Sequence, residues 1–357
     1  MEPFLRTPQD VLREAARVVF AGNGSPEPEA RLLADRLTQA SLAGHDSHGI
    51  LRVHFYMGQL RQGLIRPGAK PEITDDRGAL VRVRGHRGYG QVVAEEGMRI
   101  AVERARKHGA AAVGVVDLTH IGRLADYVIA AARQGMLAML FTATGGSAQI
   151  VAPFGGIARR LSTNPFAVAF PSRREYPVVF DMATSVIANG KLRVARDEGR
   201  AVKPGLLLDL AGHPSTDPAD VDKGGAILPL GGERLGYKGY LLAFLVEVMG
   251  GLLTGGGFCG LVDDPIFCNP STMLALDVTR FRPLREFQDE LDALIAFLKA
   301  TPHRDGEEVL YPGEMEERCE RDRRAHGIPL PMTTIRNLQG ELDKVGSEIK
   351  LEARAVG

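Results

Sequence analysis

The sequence is poor in the features that hold small secreted domains together. Its 357 residues include three cysteines, Cys259, Cys268 and Cys319, and no CxxC pair. They cannot all pair within one chain, so no disulfide framework is expected and a reducing, cytoplasmic compartment is the natural reading. A chain of this length buries about three quarters of its unfolded surface and needs neither disulfide nor metal to hold a core. Nor is there an excess of charge of either sign. Lys plus Arg is 44 and Asp plus Glu is 44, which argues against a general nucleic-acid binder. Long apolar runs are missing as well. The longest, Tyr240 to Leu253, is interrupted by Glu247 and broken at Gly250-Gly251, short of the ~20 residues a membrane span needs. No membrane partner is expected. Met1 to Pro8 has no basic stretch leading into an apolar one, so no signal peptide is expected.

Familiar nucleotide and hydrolase fingerprints are absent too. Gly255-Gly256-Gly257-Phe258-Cys259-Gly260 fits GxGxxG as letters, but it follows an apolar helix, and Leu261-Val262-Asp263-Asp264-Pro265 cannot open another. It is therefore no Rossmann fingerprint. There is no GxxxxGK[ST] loop and no GxSxG elbow.

What is present is glycine, 42 residues placed among structured segments, where they mark turns and close backbone approaches. At roughly 150 residues per domain the chain makes about two domains. The first 43 residues predict two helices, with Thr7-Pro8-Gln9-Asp10 as a capping box and Ser25-Pro26 starting the second. From Ala79 the pattern changes. Ala79–Arg84 alternates like a strand, Gly85–Gly90 is a turn, and Val92–His108 is a helix closed by Gly109. Ala110–Val116 and Leu137–Phe141 are strands around a helix at Leu124–Arg133. This rhythm predicts an α/β layer architecture. Thr144–Pro171 predicts a functional loop system. A strand at Val178–Phe180, helices at Met182–Arg196 and Tyr240–Leu253, a strand at Met273–Asp277 and helices at Leu284–Lys299 and Glu314–Gly327 complete the pattern.

Two clusters could carry chemistry. Gly44 to Tyr56 packs His45, His48, His54, Arg52 and Tyr56 just after a helix end, in a chain with nine histidines. An arginine there would fork onto a carboxylate, which a planar guanidinium suits. An ordinary polar turn, or a metal site needing a further carboxylate, would use similar residues. If the stretch is one helix, His48 and Arg52 share a face. Asp117 to Arg123 lies where a strand ends and a helix begins. Such a helix start favours anions and disfavours imidazolium, keeping His120 neutral and able to accept a proton. Simple packing at a strand end is the other reading. Glycine-rich pieces at 151–156 and 162–165, with Asp181 to Ser185, would let backbone N–H groups approach phosphates or ribose.

Taken together, the stretches GHDSHGILR (44–52), THIGR (119–123), VAPFGG (151–156), STNP (162–165), DMATSVIANGK (181–191), AGHPSTDP (211–218), YKGYLLAFLVEVMGGLLTG (237–255) and YPGEMEERCERDRRAHGIPL (311–330) run in order over nearly the whole chain. They resemble the malate/L-lactate dehydrogenase family that lacks the Rossmann fold. The resemblance implies interconversion of a 2-oxo acid and a 2-hydroxy acid by hydride transfer with NAD or NADP. It implies an α/β fold, with a non-Rossmann cofactor domain of mixed sheet at 76–279. A helical domain built from both chain ends, 1–75 plus 280–357, would flank it. A homodimer is implied, and no metal.

By the family's motifs His120 would be the acid/base catalyst, with His48 beside nicotinamide and substrate. Arg52, Ser47 and Tyr56 would bind substrate. Gly122, Arg123, Leu124, Val179, Phe180, Asp181, Met182, Ala183, Tyr237, Lys238, Asn269, Gly313, Glu314, Met315 and Glu316 would touch the cofactor with His48. Tyr237 departs from the family, standing where close relatives often carry His. The alternative class is a metal-dependent hydrolase or lyase using His45, His48 and His120.

Overall fold

The computed structural model describes residues 4–146, 148–197, 199–261 and 268–351. The chain opens with a strand, β1 (Phe4–Thr7), before helices α1 (Gln9–Gly22) and α2 (Glu27–Leu42). Thr7 therefore does not cap α1. It pairs with Ile328, its side chain is buried, and Pro8 stands at the cap. Likewise α2 starts one residue later than expected, after Pro26. A single turn of 3-10 helix, Asp46–His48, precedes α3 (Arg52–Arg61).

Next come β2 (Glu72–Arg77), β3 (Leu80–Gly88), α4 (Gly90–His108), β4 (Ala110–Leu118), α5 (Ala125–Ala132), β5 (Met136–Thr142), β6 (Phe166–Phe170) and β7 (Val178–Met182). The predicted Gly85–Gly90 turn is shorter than expected because β3 runs on to Gly88. β6 lies inside the stretch read as loops. Its alternation of aromatic and small residues is too short to stand out from the surrounding Gly and Pro. Residues 183–188 are not helical, so α6 spans only Asn189–Asp197. The short strands β8 (Leu207–Leu208), β9 (Pro214–Ser215) and β10 (Ala226–Ile227) form a small separate sheet.

Helix α7 (Gly232–Val246) continues without interruption into a π-helical turn, Glu247–Leu252. The helix expected at Tyr240–Leu253 is present but begins earlier, and Glu247 and Gly250-Gly251 lie inside it. The wider π turn keeps it going, the Glu247 carboxylate accepts from Asn164 and from the Cys259 amide, and the missing Gly250 side chain lets the helix seat on the Ala143 amide. By length and composition alone this 21-residue helix is apolar enough to cross a membrane. The candidate GxGxxG follows it as turns, and 262–267 lie outside the described residues. The chain ends with β11 (Ser271–Asp277), α8 (Leu284–Lys299), α9 (Glu314–His326), β12 (Ile328–Pro331) and α10 (Met332–Lys344).

The main sheet has the order β2-β3-β4-β11-β5-β6-β7. Only β3 and β4 run parallel; every other neighbouring pair is antiparallel. The expected βαβ rhythm is therefore interrupted, because β11 enters between β4 and β5. Alternate residues face opposite sides of a sheet. Val115 and Met273 face α4, where Gly97 allows close contact, and Gly114 faces Thr254 beyond the π turn. A second core joins both chain ends: Leu12, Phe20, Leu33 and Tyr56 pack with Ile328, Leu338 and Leu342. The β1–β12 pairing closes that unit.

Candidate active site

Four segments converge at the carboxyl end of β4. Beyond Leu118 the chain turns through Thr119–Leu124 before α5. Gly90 makes this turn possible: a Cβ there would lie 2.3 Å from the Thr119 carbonyl oxygen and 2.5 Å from that of His120. The Gly90 amide donates to Thr119 Oγ1 at 3.2 Å, and the Ile121 amide donates to Asn269 Oδ1 at 3.1 Å. His120 is thus presented from a backbone braced on both sides.

Its ring meets groups from the first cluster. Tyr56 Oη lies 2.7 Å from His120 Nδ1, and Gln91 Nε2 donates to Tyr56 Oη at 2.7 Å. The His48 ring stacks on His120 at 5.4 Å between centroids. Ser47 Oγ lies 2.9 Å from His48 Nδ1. Arg52 Nε donates to the Ser47 carbonyl at 2.6 Å, and its guanidinium lies over Phe55. His48 and Arg52 do not share one helix. His48 ends the 3-10 turn and Arg52 opens α3, yet the His48 ring stacks on His120 and the Arg52 charge acts on it.

Burial dominates the electrostatics. Desolvation, then Arg52, His45 and Arg123, push the His48 imidazole down to about 3. Desolvation, with Arg52 and His48 adding to it, holds His120 well below its ordinary value. Desolvation lifts the Tyr56 phenol to about 12, against the pull of Arg52 and the Gln91 hydrogen bond. Near neutral pH the site therefore holds two uncharged imidazoles and a protonated phenol beside one arginine. That set can accept or deliver a proton while holding an anion.

A second region adjoins it. Asp181 Oδ2 accepts the Ala125 amide at 2.9 Å, joining β7 to the start of α5, and burial raises its carboxyl. Arg123 is buried, bound to Asp126 at 2.8 Å and to the Tyr176 hydroxyl at 2.8 Å. Its Nε is buried without a hydrogen-bond partner among the described residues. Gly313, at φ +97°, caps α9 so closely that a Cβ would lie 3.1 Å from the Pro177 carbonyl. His45 Nε2 lies 3.5 Å from Glu316, which this contact pulls down, and Arg323 binds Asp46. The start of α9 is thereby fastened to the histidine turn.

The expected residues are brought together unevenly. His48, His120, Arg52, Ser47 and Tyr56 form one cluster. Gly122, Arg123, Leu124, Val179–Ala183, Gly313 and Glu316 lie along the adjoining region. Asn269 is buried behind the turn, its amide donating to the Ala143 and Cys268 carbonyls. Glu314 turns to Lys299 at 2.6 Å, and Met315 is exposed. Tyr237 and Lys238 stand on α7, Tyr237 exposed against Phe154. No described contact joins them to the histidines. Gln91 was missed: it stands alone in the sequence and gains meaning only through Tyr56. Among the described residues no group of three or more His, Cys, Asp or Glu stands together as a metal-ligand set.

Comparison with known proteins shows what the whole chain is similar to. The profile of the malate/L-lactate dehydrogenase family matches residues 7–339. Hydroxycarboxylate dehydrogenase B of Escherichia coli (strain K12) is 37% identical, over 92% of this chain and 91% of its own length. L-sulfolactate dehydrogenase of Methanothermobacter thermautotrophicus is 34% identical, over 96% of this chain and 98% of its own. The crystal structure of malate dehydrogenase from Entamoeba histolytica superposes with a TM-score of 0.93 at 29% identity, covering 97% of this chain and 99% of that one.

Proposed function

We propose that this chain, which belongs to the malate/L-lactate dehydrogenase family and is an oxidoreductase interconverting 2-hydroxy and 2-oxo acids with a nicotinamide cofactor, passes the proton of that reaction through His120. The observation that carries this reading is the buried contact of His120 with Tyr56, beside His48 and Arg52. Oxidising a 2-hydroxy acid releases one proton and one hydride. A neutral imidazole accepts the proton, and an arginine fork holds the carboxylate so that the reacting carbon stays oriented. Arg52 is the candidate for that fork, with Ser47 and Tyr56 completing the substrate pocket.

The adjoining region fits a nicotinamide dinucleotide. An unpartnered Arg123 Nε offers a donor to an acceptor-rich group, and glycine at 122 and 313 allows close backbone approach. Gly122, Arg123, Asp181 and Glu316 would line it, with Val179, Met182 and Ala183 alongside. When bound, the nicotinamide supplies or takes the hydride. The protein's share is to orient, to exclude water and to hold the proton.

The same reading includes a helical unit, 1–75 with 280–357, against a cofactor unit, 76–279, and a cytoplasmic homodimer. The shared core of both chain ends supports the first. For the second, Leu241, Phe244, Leu245, Leu252 and Leu253 are exposed along α7 and the π turn, and a second copy would cover them. Light scattering on the purified protein tests this. A dimer that Leu241→Glu splits supports it, and a monomeric wild type opposes it.

The test of function is a panel of 2-oxo acids with NADH and NADPH, followed by the absorbance of the reduced cofactor. Turnover of at least one pair, lost in His120→Ala with cofactor affinity retained, is the expected result. Full activity in His120→Ala refutes the assignment.

A further inference from the structure

Gln91 is nearly inaccessible, 1% exposed, and lies at the first turn of α4. Its Nε2 faces Tyr56 Oη at 2.7 Å, while its Oε1 is buried without a hydrogen-bond partner among the described residues. A Cβ on Gly122 would lie 3.3 Å from that Nε2. The absent side chain leaves the amide room to turn.

We propose that Gln91 is a positioning residue that sets which ring nitrogen of His120 carries the proton, acting through the Tyr56 hydroxyl. The proposal rests on the reading that His120 carries the proton of the reaction. A phenol has one proton to give. With the amide N–H of Gln91 on Oη, that proton points at His120 Nδ1, and a neutral imidazole then keeps its own on Nε2. Turned over, the amide presents Oε1. It accepts the phenol proton, Oη accepts from Nδ1–H, and Nε2 is left with its lone pair. Only this second form takes the hydroxyl proton of a 2-hydroxy acid. The imidazolium it becomes still donates from Nδ1 to Oη, and in the reverse direction it returns the Nε2 proton to the oxygen that has become an alkoxide. Each amide orientation satisfies one end and leaves the other unpartnered, so the two lie close in free energy. Leucine or methionine at 91 would offer neither arrangement.

Among the described contacts, the groups facing His120 include Tyr56 and Arg52 of α3 and His48 of the 3-10 turn. Of these, Tyr56 is the one hydrogen-bonded by an amide that can present either a donor or an acceptor to it. His48 is held by Ser47, and Arg52 only donates.

A double-mutant cycle with Tyr56→Phe tests the proposal, because a residue acting through Tyr56 loses its effect once the hydroxyl is gone. General acid–base catalysis contributes about 10²–10⁴-fold, and an enzyme held in the wrong tautomer is expected to lose about tenfold to a hundredfold of that. Gln91→Met should lower kcat for hydroxy-acid oxidation by that factor, shift its pH profile and leave cofactor KM unchanged. In the Tyr56→Phe background it should be silent. Ring-nitrogen NMR of the free protein reads the tautomer directly: Nε2–H and Nδ1–H forms both populated in the wild type, Nδ1–H alone in Gln91→Glu at alkaline pH. Equal losses in both backgrounds, or Nε2–H retained in Gln91→Glu, overturn the proposal. If instead His120→Ala keeps full turnover while the tautomer moves as stated, the proton-carrier reading fails and the positioning of His120 by Gln91 survives.

Discussion

Replacing His120 by glutamine should make the protein less sensitive to acid. An unfolded histidine titrates near 6.5, whereas folded His120 is held well below that by burial, Arg52 and His48. The sign follows from proton counting. Below about 6.5 the unfolded chain binds a proton at this position and the folded protein does not, so stability falls as pH falls. The stabilisation is fully present above 6.5 and disappears as pH approaches the depressed folded value. Between pH 7.5 and 5.0 one such group costs about 2 kcal/mol, by linkage at 1.36 kcal/mol per unit once the unfolded state is protonated. Glutamine does not titrate. Urea unfolding at the two pH values should show wild type losing about 2 kcal/mol more than His120→Gln. Carboxylates such as Glu341 titrate in both proteins and cancel in the difference. Equal pH sensitivity in the two would mean that His120 is protonated or solvated in the folded state, and the case for a neutral acceptor would collapse.

Three further outcomes are expected. Arg52→Lys keeps the charge and loses the fork, so kcat/KM should fall roughly 30- to 1000-fold, from about 2–4 kcal/mol of lost charge-assisted pairing; steady-state kinetics with unchanged values would remove Arg52 from the carboxylate role. Gly90→Ala drives a methyl group into the Thr119 and His120 carbonyls, so thermal unfolding should show a loss of about 1–3 kcal/mol together with lower kcat; a silent variant would mean that the turn has slack. Either NADH or NADPH should raise the Tm in the presence of a chelator, by about 2.7 kcal/mol of stabilisation at a hundredfold excess over Kd; no shift with either would contradict the metal-free dinucleotide site.

The chemistry was more legible in the sequence than the sheet. His48, Arg52 and Tyr56 fall within nine positions, and His120 sits just beyond an apolar strand, so local spacing pointed to both halves of the candidate site. Their meeting was not local. Tyr56 reaches His120 across 64 positions, and nothing in either stretch announces the other. Gln91 was hidden for the same reason. Strand direction was equally hidden, since Ala110–Leu118 and Met136–Thr142 look like consecutive parallel strands until Ser271–Asp277 arrives between them. The roles of Tyr237 and Lys238 came from resemblance alone, and their exposed position on α7 offers nothing that spacing could have revealed. Thr7 misled because a capping pattern and a strand end use the same residue types, and the strand partner lies at the far end of the chain.

The insertion of β11 has a consequence for how the chain is made. When the ribosome has released everything up to β7, β4 and β5 each still present an unpaired edge, because the strand that belongs between them has not been synthesised. Those edges are among the most apolar in the molecule, with Val113, Val115, Ala138 and Leu140 fully buried in the finished fold. Unpaired apolar edges pair readily with other chains, and contacts this distant in sequence form slowly. At about 5–20 residues per second, the nascent chain spends several seconds in this open condition. A polypeptide cut short before Ser271 would remain in it permanently, and aggregation is its expected fate.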